Sequence, residues 1–316
     1  MNLFSKTSRL AGWLAVNVQA DGISLAHVRR VPAALPVVEF VSFYPADKLS
    51  AAMTMERLAK ESQAGRHHCI ALLTAGEYQL LSVDAPNVPR GELKTAIRWR
   101  LKDMLDFHID DATIDVLDVP VDKDAPIRTH SMYVVAAHNQ TIRQRQGLFE
   151  SAKIPLGVID IPEMAQRNIA ALLETDGRGL ALLTFDESGG LLTMTFAGEL
   201  YLARRIDITL RQLVQADDEQ KNILYERIVL ELQRSIDHFD RQYRFITLAR
   251  LVLSAAGKAE FELQKYLAVQ LYISVEVLVL EAVLDMSKAP QLRKPEDRHR
   301  FLLTVGAALR LEELAL

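Results

Sequence analysis

The sequence predicts an α/β protein built from two similar halves that face each other across a cleft. Three observations carry this. Apolar runs with the length and alternation of strands are interleaved with stretches of helical spacing. A pattern of three strands divided by turn residues begins near residue 13 and again near residue 180. At 316 residues the chain has the length of two domains and enough core to need no covalent staple.

The elements follow in order. Residues 13–18, 23–28 and 37–43 read as strands divided by Asp21-Gly22 and by Pro32 and Pro36, an antiparallel meander. Residues 53–62 read as a helix, 69–74 and 79–83 as strands, and Pro86 and Pro89 as a break. Leu93, Ile97, Leu101 and Leu105 recur every four residues, which predicts one face of a helix. Strands at 114–119 and 132–137, a helix at 141–153 and a strand at 156–159 come next. Asp160 reads as the N-cap of a further helix with Pro162 in its first turn. The second half opens with strands at 180–185, 191–196 and 200–206, turning at Ser188-Gly189-Gly190 and Ala197-Gly198. A long helix then buries Leu224, Ile228, Leu232, Ile236, Phe239 and Tyr243 and turns Glu231, Arg234, Arg241 and Arg244 outward. Strands at 251–253 and 275–278 and a helix around 305–309 complete the chain. The apolar tract 267–284 carries Gln270, Glu276 and Glu281, so it predicts helix, turn and buried strand rather than a membrane span.

Composition narrows the function classes. Hydrophobic residues at 49% and charged residues at 25% are ordinary for a globular protein. A net charge of -4 and a pI of about 6.1 lack the basic signature of nucleic-acid binding. The lone cysteine, Cys69, allows no intramolecular disulfide and fits a reducing compartment. In His67-His68-Cys69, neighbours on a strand point to opposite faces, so the three are not expected to converge on one metal. Lys6 and Arg9 are followed by no apolar run of signal-peptide length, so the expectation is a cytoplasmic chain with no span of its own. No Gly-x-Ser-x-Gly elbow accompanies His27, His138 or His238. Arg143, Arg145 and the pair Arg204-Arg205 read as solvated ends of elements rather than a lipid site.

Six short motifs, in order and with nearly matching spacing, resemble the PilM family of pilus assembly proteins, and its MshI relatives of mannose-sensitive hemagglutinin pili in particular. Ala96-Ile97-Arg98-Trp99, running on to Leu105-Asp106-Phe107, is similar to the family's A-x-R-W-E helix and the P-F after it. Asp160-Ile161-Pro162-Glu163 resembles D-I-E entering a helix, and Ala197-Gly198 with Arg204-Arg205-Ile206 resembles the second-lobe hairpin ending R-x-I. Glu231-Leu232-Gln233-Arg234-Ser235 resembles E-I-x-R-S, residues 263–267 resemble L-x-x-Y-L, and Gly306-Ala307-Ala308-Leu309-Arg310 resembles G-L-A-L-R. The resemblance implies an actin-like ATPase (ribonuclease H-like) fold: two duplicated lobes, 1–160 and 161–316, around a cleft, with an inserted subdomain at about 78–135.

The resemblance also implies where nucleotide would sit, and there the sequence departs from it. Active members carry D-I-G-S-S-S in the first phosphate loop, with a lysine shortly after. Here the acid falls on Asn17, the glycine on Gln19 and the lysine on Ser24. The second loop's acid falls on Thr184 and its glycine on Asp186, and the adenosine loop falls on Ala255, Ala256 and Gly257. Neutral Asn17 and Thr184 are poor company for Mg²⁺, which prefers carboxylates, phosphates and water. Gln19 puts a side chain, and Asp186 a negative charge, where backbone should meet phosphate. No cofactor is therefore expected, with ATP and Mg²⁺ disfavoured. The expected role is that of a degenerate ATPase acting as a binding scaffold. The implied partner is the cytoplasmic N-terminal peptide of a PilN/MshJ-like inner-membrane protein, with an assembly ATPase or other platform proteins as further partners. Ile97, Trp99, Leu101 and Leu105 are candidates for the peptide groove by location, Trp99 first because it lies off the buried stripe. Two alternatives remain: a working actin-like ATPase, or a GspL-like component of type II secretion, whose chains continue into a transmembrane helix that nothing up to Leu316 supplies.

Overall fold

A computed structural model describes residues 10–46, 50–121 and 131–311; Lys6 and Arg9 lie outside them. The meander expected near the start is β1 (Trp13–Gln19), β2 (Gly22–Arg29) and β3 (Val37–Pro45). After α1 (Ala51–Glu61), β4 (His68–Leu72) and later β8 (Leu156–Asp160) add in parallel to give the sheet order β3-β2-β1-β4-β8. Alternation along the strands sorts the side chains to two faces. Leu14, Val16, Ile23 and Leu25 pack under α1 and α3 (Asn139–Ser151), against Met55, Leu58 and Phe149. Ala15, Ala26 and Val28 face the other way, into a core shared with α4 (Pro162–Leu173) and α8 (Pro295–Ala308).

The second half repeats the plan. Strands β9 (Gly179–Asp186), β10 (Gly189–Phe196), β11 (Glu199–Ile206), β12 (Leu248–Ser254) and β13 (Ser274–Val277) form a sheet of order β11-β10-β9-β12-β13, the same connectivity as the first. Its outer face is covered by α5 (Leu210–Gln215), α6 (Asp218–Gln242) and α7 (Gly257–Gln270), with Leu183, Leu192, Ile228, Leu232 and Leu263 in one core. Its inner face meets α4. Thus α4 and α8 cross between the lobes, α4 on the second sheet and α8 on β1, β2 and β4. They touch closely: a Cβ on Gly306 would lie 2.2 Å from the Ala165 carbonyl oxygen. Asn168 Nδ2 donates to the Gly306 carbonyl at 2.9 Å across the same crossing.

Between β4 and α3 the chain builds a third sheet from β5 (Tyr78–Asp84), β6 (Ala112–Asp118) and β7 (Ser131–His138), with β7 central, and lays α2 (Leu93–Leu101) on it. The opposite face joins the second lobe, because Tyr133 and Val119 belong to that lobe's core. The Tyr133 hydroxyl donates to the Tyr201 carbonyl at 3.2 Å and accepts from the Ala203 N–H at 3.1 Å.

Two local expectations need correction, and two helices extend what apolar spacing marks. Asp160 does not cap α4; Ile161 holds that position, and Asp160 ends β8 with Oδ1 accepting from the Ile161 N–H at 2.9 Å. Its Oδ2 instead meets Arg310 at 3.1 Å, a buried ion pair. The helix bearing Ile97 ends at Leu101, and Leu105 lies in the following turn, where Asp106 is held by the Gln79 side chain. Helix α5 was not anticipated, although Thr209 and Gln212 form a reciprocal capping box. Helix α8 begins ten residues earlier than the apolar stretch suggested, with Pro295 in its first turn and Glu296 and Asp297 beside it.

Candidate functional site

The first-lobe loop is the turn between β1 and β2. Asn17 stands opposite Ser24 in the antiparallel register, so the positions implied to carry acid and lysine are cross-strand neighbours. Strand alternation puts both on the face of Ala15 and Ala26, the face covered by α8. Both are buried, and among the described residues neither Asn17 Oδ1 nor Ser24 Oγ has a hydrogen-bond partner. Gln19 is half-buried at the hairpin end, paired with Gly22. The second-lobe loop differs. The Thr184 hydroxyl donates to Gln166 Oε1 at 2.7 Å, and Gln166 Nε2 donates to the Leu182 carbonyl, the Leu191 carbonyl and Thr193 Oγ1. The fully buried Gln166 of α4 thus ties β9 to β10 across the inner face of this sheet, through Leu182, Thr184, Leu191 and Thr193. Asp186 Oδ1 accepts from the Ser188 N–H at 2.7 Å and so caps its own turn.

The expected adenosine loop leads into α7. Ala255 is buried and donates its N–H to Glu260 Oε1 at 3.0 Å; Ala256 is the N-cap; Gly257 is exposed at φ +59°, a left-handed position suited to glycine. Glu260 is 2% exposed, and its other oxygen meets Arg298 Nη2 of α8 at 2.8 Å. Burial pushes its carboxyl above the usual range, against the pull of the Ala255 N–H and Arg298. Two residues further on, Arg300 Nη1 bonds Asp21 of the β1–β2 turn at 2.7 Å, and its guanidinium lies 3.9 Å from the centre of the Phe43 ring. His299 lies between them. Burial is the largest influence on its pKa and lowers it, against the charges of Asp186 and Glu187, which raise it. The structure therefore ties two of the three loops, the β1–β2 turn and the loop into α7, to Arg300 and Arg298, neither of which apolar periodicity marks; Pro295-Glu296-Asp297 is the signal that α8 starts before them.

The four candidates on α2 and the turn after it separate by face. Ile97 and Leu101 are fully buried against Val83, Val116, Met132 and Val134, and Leu105 packs partly against the same cluster. As core side chains they do not present themselves to a partner. Trp99 is 78% exposed and is flanked by exposed Arg100 and Lys102. Of the four basic residues read as solvated ends, Arg143 bonds its own helix at Asn139 and Arg204 lies 3.8 Å from Glu231, whereas the other two are internal ties. Arg145 chelates Glu77 at 2.6 and 2.7 Å with only 11% of its side chain exposed. Arg205 Nη2 meets Glu163 at 3.0 Å and the Tyr78 hydroxyl at 2.8 Å, joining β11, α4 and β5 beside a cleft of about 260 Å³. His67, His68 and Cys69 diverge: His67 edges His27, His68 edges Trp13, and Cys69 lies in the core.

No protein-family model matches the chain, and no curated protein matches it in sequence. Solved structures do. A chain of the PilM-PilN type IV pilus biogenesis complex superposes with a TM-score of 0.72 at 18% identity, covering 96% of this chain and 98% of that one. A Bacteroides thetaiotaomicron protein with an actin-like ATPase fold and unknown function gives 0.51 at 9% identity, covering 90% and 96%. The cytoplasmic domain of EpsL, an inner-membrane component of the Vibrio cholerae type II secretion system, gives 0.48 at 15% identity over 96% and 97%, too loose to weigh. Two sheets of identical strand order, joined by crossing helices and superposable on these proteins, are an actin-like fold, in the form found in the PilM-PilN complex.

Proposed function

We propose that this chain is a scaffold of a type IV pilus assembly platform, which holds the cytoplasmic N-terminal peptide of a PilN-like inner-membrane protein and does not turn over ATP. In an MSHA-type system that partner is the MshJ-like protein. The observation that carries the reading is the likeness to the PilM-PilN complex over almost the whole of both chains. Trp99 supplies an exposed aromatic on the inserted sheet's helix, the kind of side chain that anchors interfaces. Among the described residues no helix is long and apolar enough to cross a membrane, which suits a protein recruited through a partner.

The residues at the loops fit Mg-ATP poorly. Asn17 and Thr184 offer no carboxylate, the Thr184 hydroxyl is already bonded to Gln166, and Glu260 is bonded to Arg298. Two measurements test the proposal. A labelled peptide copying the cytoplasmic N-terminus of the PilN-like protein from the same genome is titrated with the purified chain. Binding is expected, weakened about 30-fold by Trp99→Ala, the effect of losing an anchor worth about 2 kcal/mol. Absence of binding by the wild-type chain would sink the partner reading. Millimolar Mg-ATP is expected to leave the melting temperature unchanged, whereas a ligand at 100 times its Kd adds about 2.7 kcal/mol.

A further inference from the structure

We infer that the first two turns of α8 form a latch that holds the two lobes closed, with Arg298 gripping Glu260 of the second lobe and Arg300 gripping Asp21 of the first. The inference goes beyond the scaffold reading, since it concerns how the lobes are held rather than what they bind.

Helix geometry makes the arrangement possible. Residues two apart on a helix point about 200° apart, so Arg298 and Arg300 reach to opposite sides of the same rod. Arg298 reaches α7, which packs on the second sheet, and Glu260 passes the contact to the backbone of Ala255 at the end of β12. Arg300 reaches the β1–β2 turn of the first sheet and lies on the Phe43 ring. The result is a continuous chain of contacts, Asp21–Arg300–α8–Arg298–Glu260–Ala255, running from one lobe to the other.

The two ends of the latch differ in strength. The Arg298–Glu260 pair is nearly dry, with side chains 13% and 2% exposed, so removing one partner strands a buried charge. The Arg300–Asp21 pair is half in water, at 36% and 59%, and contributes less as an ion pair. Stacking on Phe43 adds a cation–π contact and pins the guanidinium. Opening the lobes therefore gives way first at the Asp21 end.

Amide hydrogen exchange on the full chain without added nucleotide tests this. Arg298→Ala is expected to raise exchange about tenfold at residues 255–260 and also at 19–23, although Arg298 itself bonds on the second lobe. Faster exchange confined to 255–260 would overturn the latch and leave a local ion pair. Should that variant fail to fold, Arg300→Ala decides, since its half-exposed pair leaves the core untouched. Faster exchange at 255–260 as well as at 19–23 supports the latch, and a response at 19–23 alone overturns it. A failure of the nucleotide-free reading is seen separately, as protection of the wild-type chain when Mg-ATP is added.

Discussion

At the scale of single residues, the buried polar groups are unevenly treated. Gln166 is satisfied through both its oxygen and its nitrogen, while among the described residues Asn17 and Ser24 of the first sheet, and Thr195 and Ser254 of the second, have buried oxygens without a partner. The histidine pair beneath β1 is a second case. The His27 and His67 rings stand 4.3 Å apart, and His27 Nε2 donates to the Ala11 carbonyl at 3.0 Å. Burial lowers the pKa of both, and with the neighbouring His27 charge it pushes His67 down to about 4. The unfolded chain takes up these protons near the ordinary value of 6.5, while the folded chain resists them. The stability they lend is thus complete above that value and is lost as the pH falls toward 4. Melting temperatures measured from pH 7 to pH 5 are expected to fall, with a slope of up to about 1.4 kcal/mol per pH unit for each group. The double variant His27→Gln, His67→Gln should flatten that fall; a parallel slope would remove the pair as its source. Residue identity alone sets His67 beside His68 and Cys69 at the start of a buried strand, but does not show that His67 meets His27 of β2. Trp99 was more legible, because a residue off a four-residue stripe faces away from what the stripe packs on.

At the scale of elements, strand bounds are legible within three residues, the start of β12 being the furthest off, because alternation is a local property. The short helix α5 and the polar start of α8 were missed because capping residues and charges, not apolar spacing, define them. The crossing of α4 and α8 was equally hidden. It depends on a missing side chain at Gly306, and its partner Ala165 is remote in sequence. Gly306→Ala is expected to force the helices apart and cost about 2 kcal/mol, as overpacking a close contact does. A calorimetric melting temperature several degrees below wild type would show it. An unchanged value would mean that the crossing relaxes without loss.

At the scale of the whole molecule, the repeat of three strands and the spacing of the motifs were enough to expect two lobes and an insert. They were not enough to show how the three sheets are joined. The joints are single side chains: Tyr133 between the inserted sheet and β11, and Arg205 with Glu163 and Tyr78 where β11, α4 and β5 meet. Tyr133→Phe keeps the ring and removes the acceptor of the Ala203 N–H. Leaving a buried donor unpaired costs about 1–3 kcal/mol. Chemical denaturation should report that loss as a lower midpoint with an unchanged slope; a lower slope would mean that the inserted sheet melts on its own.

The face that Tyr133 shares with Tyr201 and Tyr243 also decides what this chain is as a unit of inheritance. An insert that merely hung from a lobe could be lengthened, exchanged or deleted without consequence for its host. This one, inserted in the first lobe, supplies part of the second lobe's aromatic core and an acceptor for that lobe's edge strand. A chain trimmed to the bare lobes would expose that surface to neighbours and aggregate. The third sheet is therefore not an accessory to the duplicated plan but a condition of the second lobe's solubility.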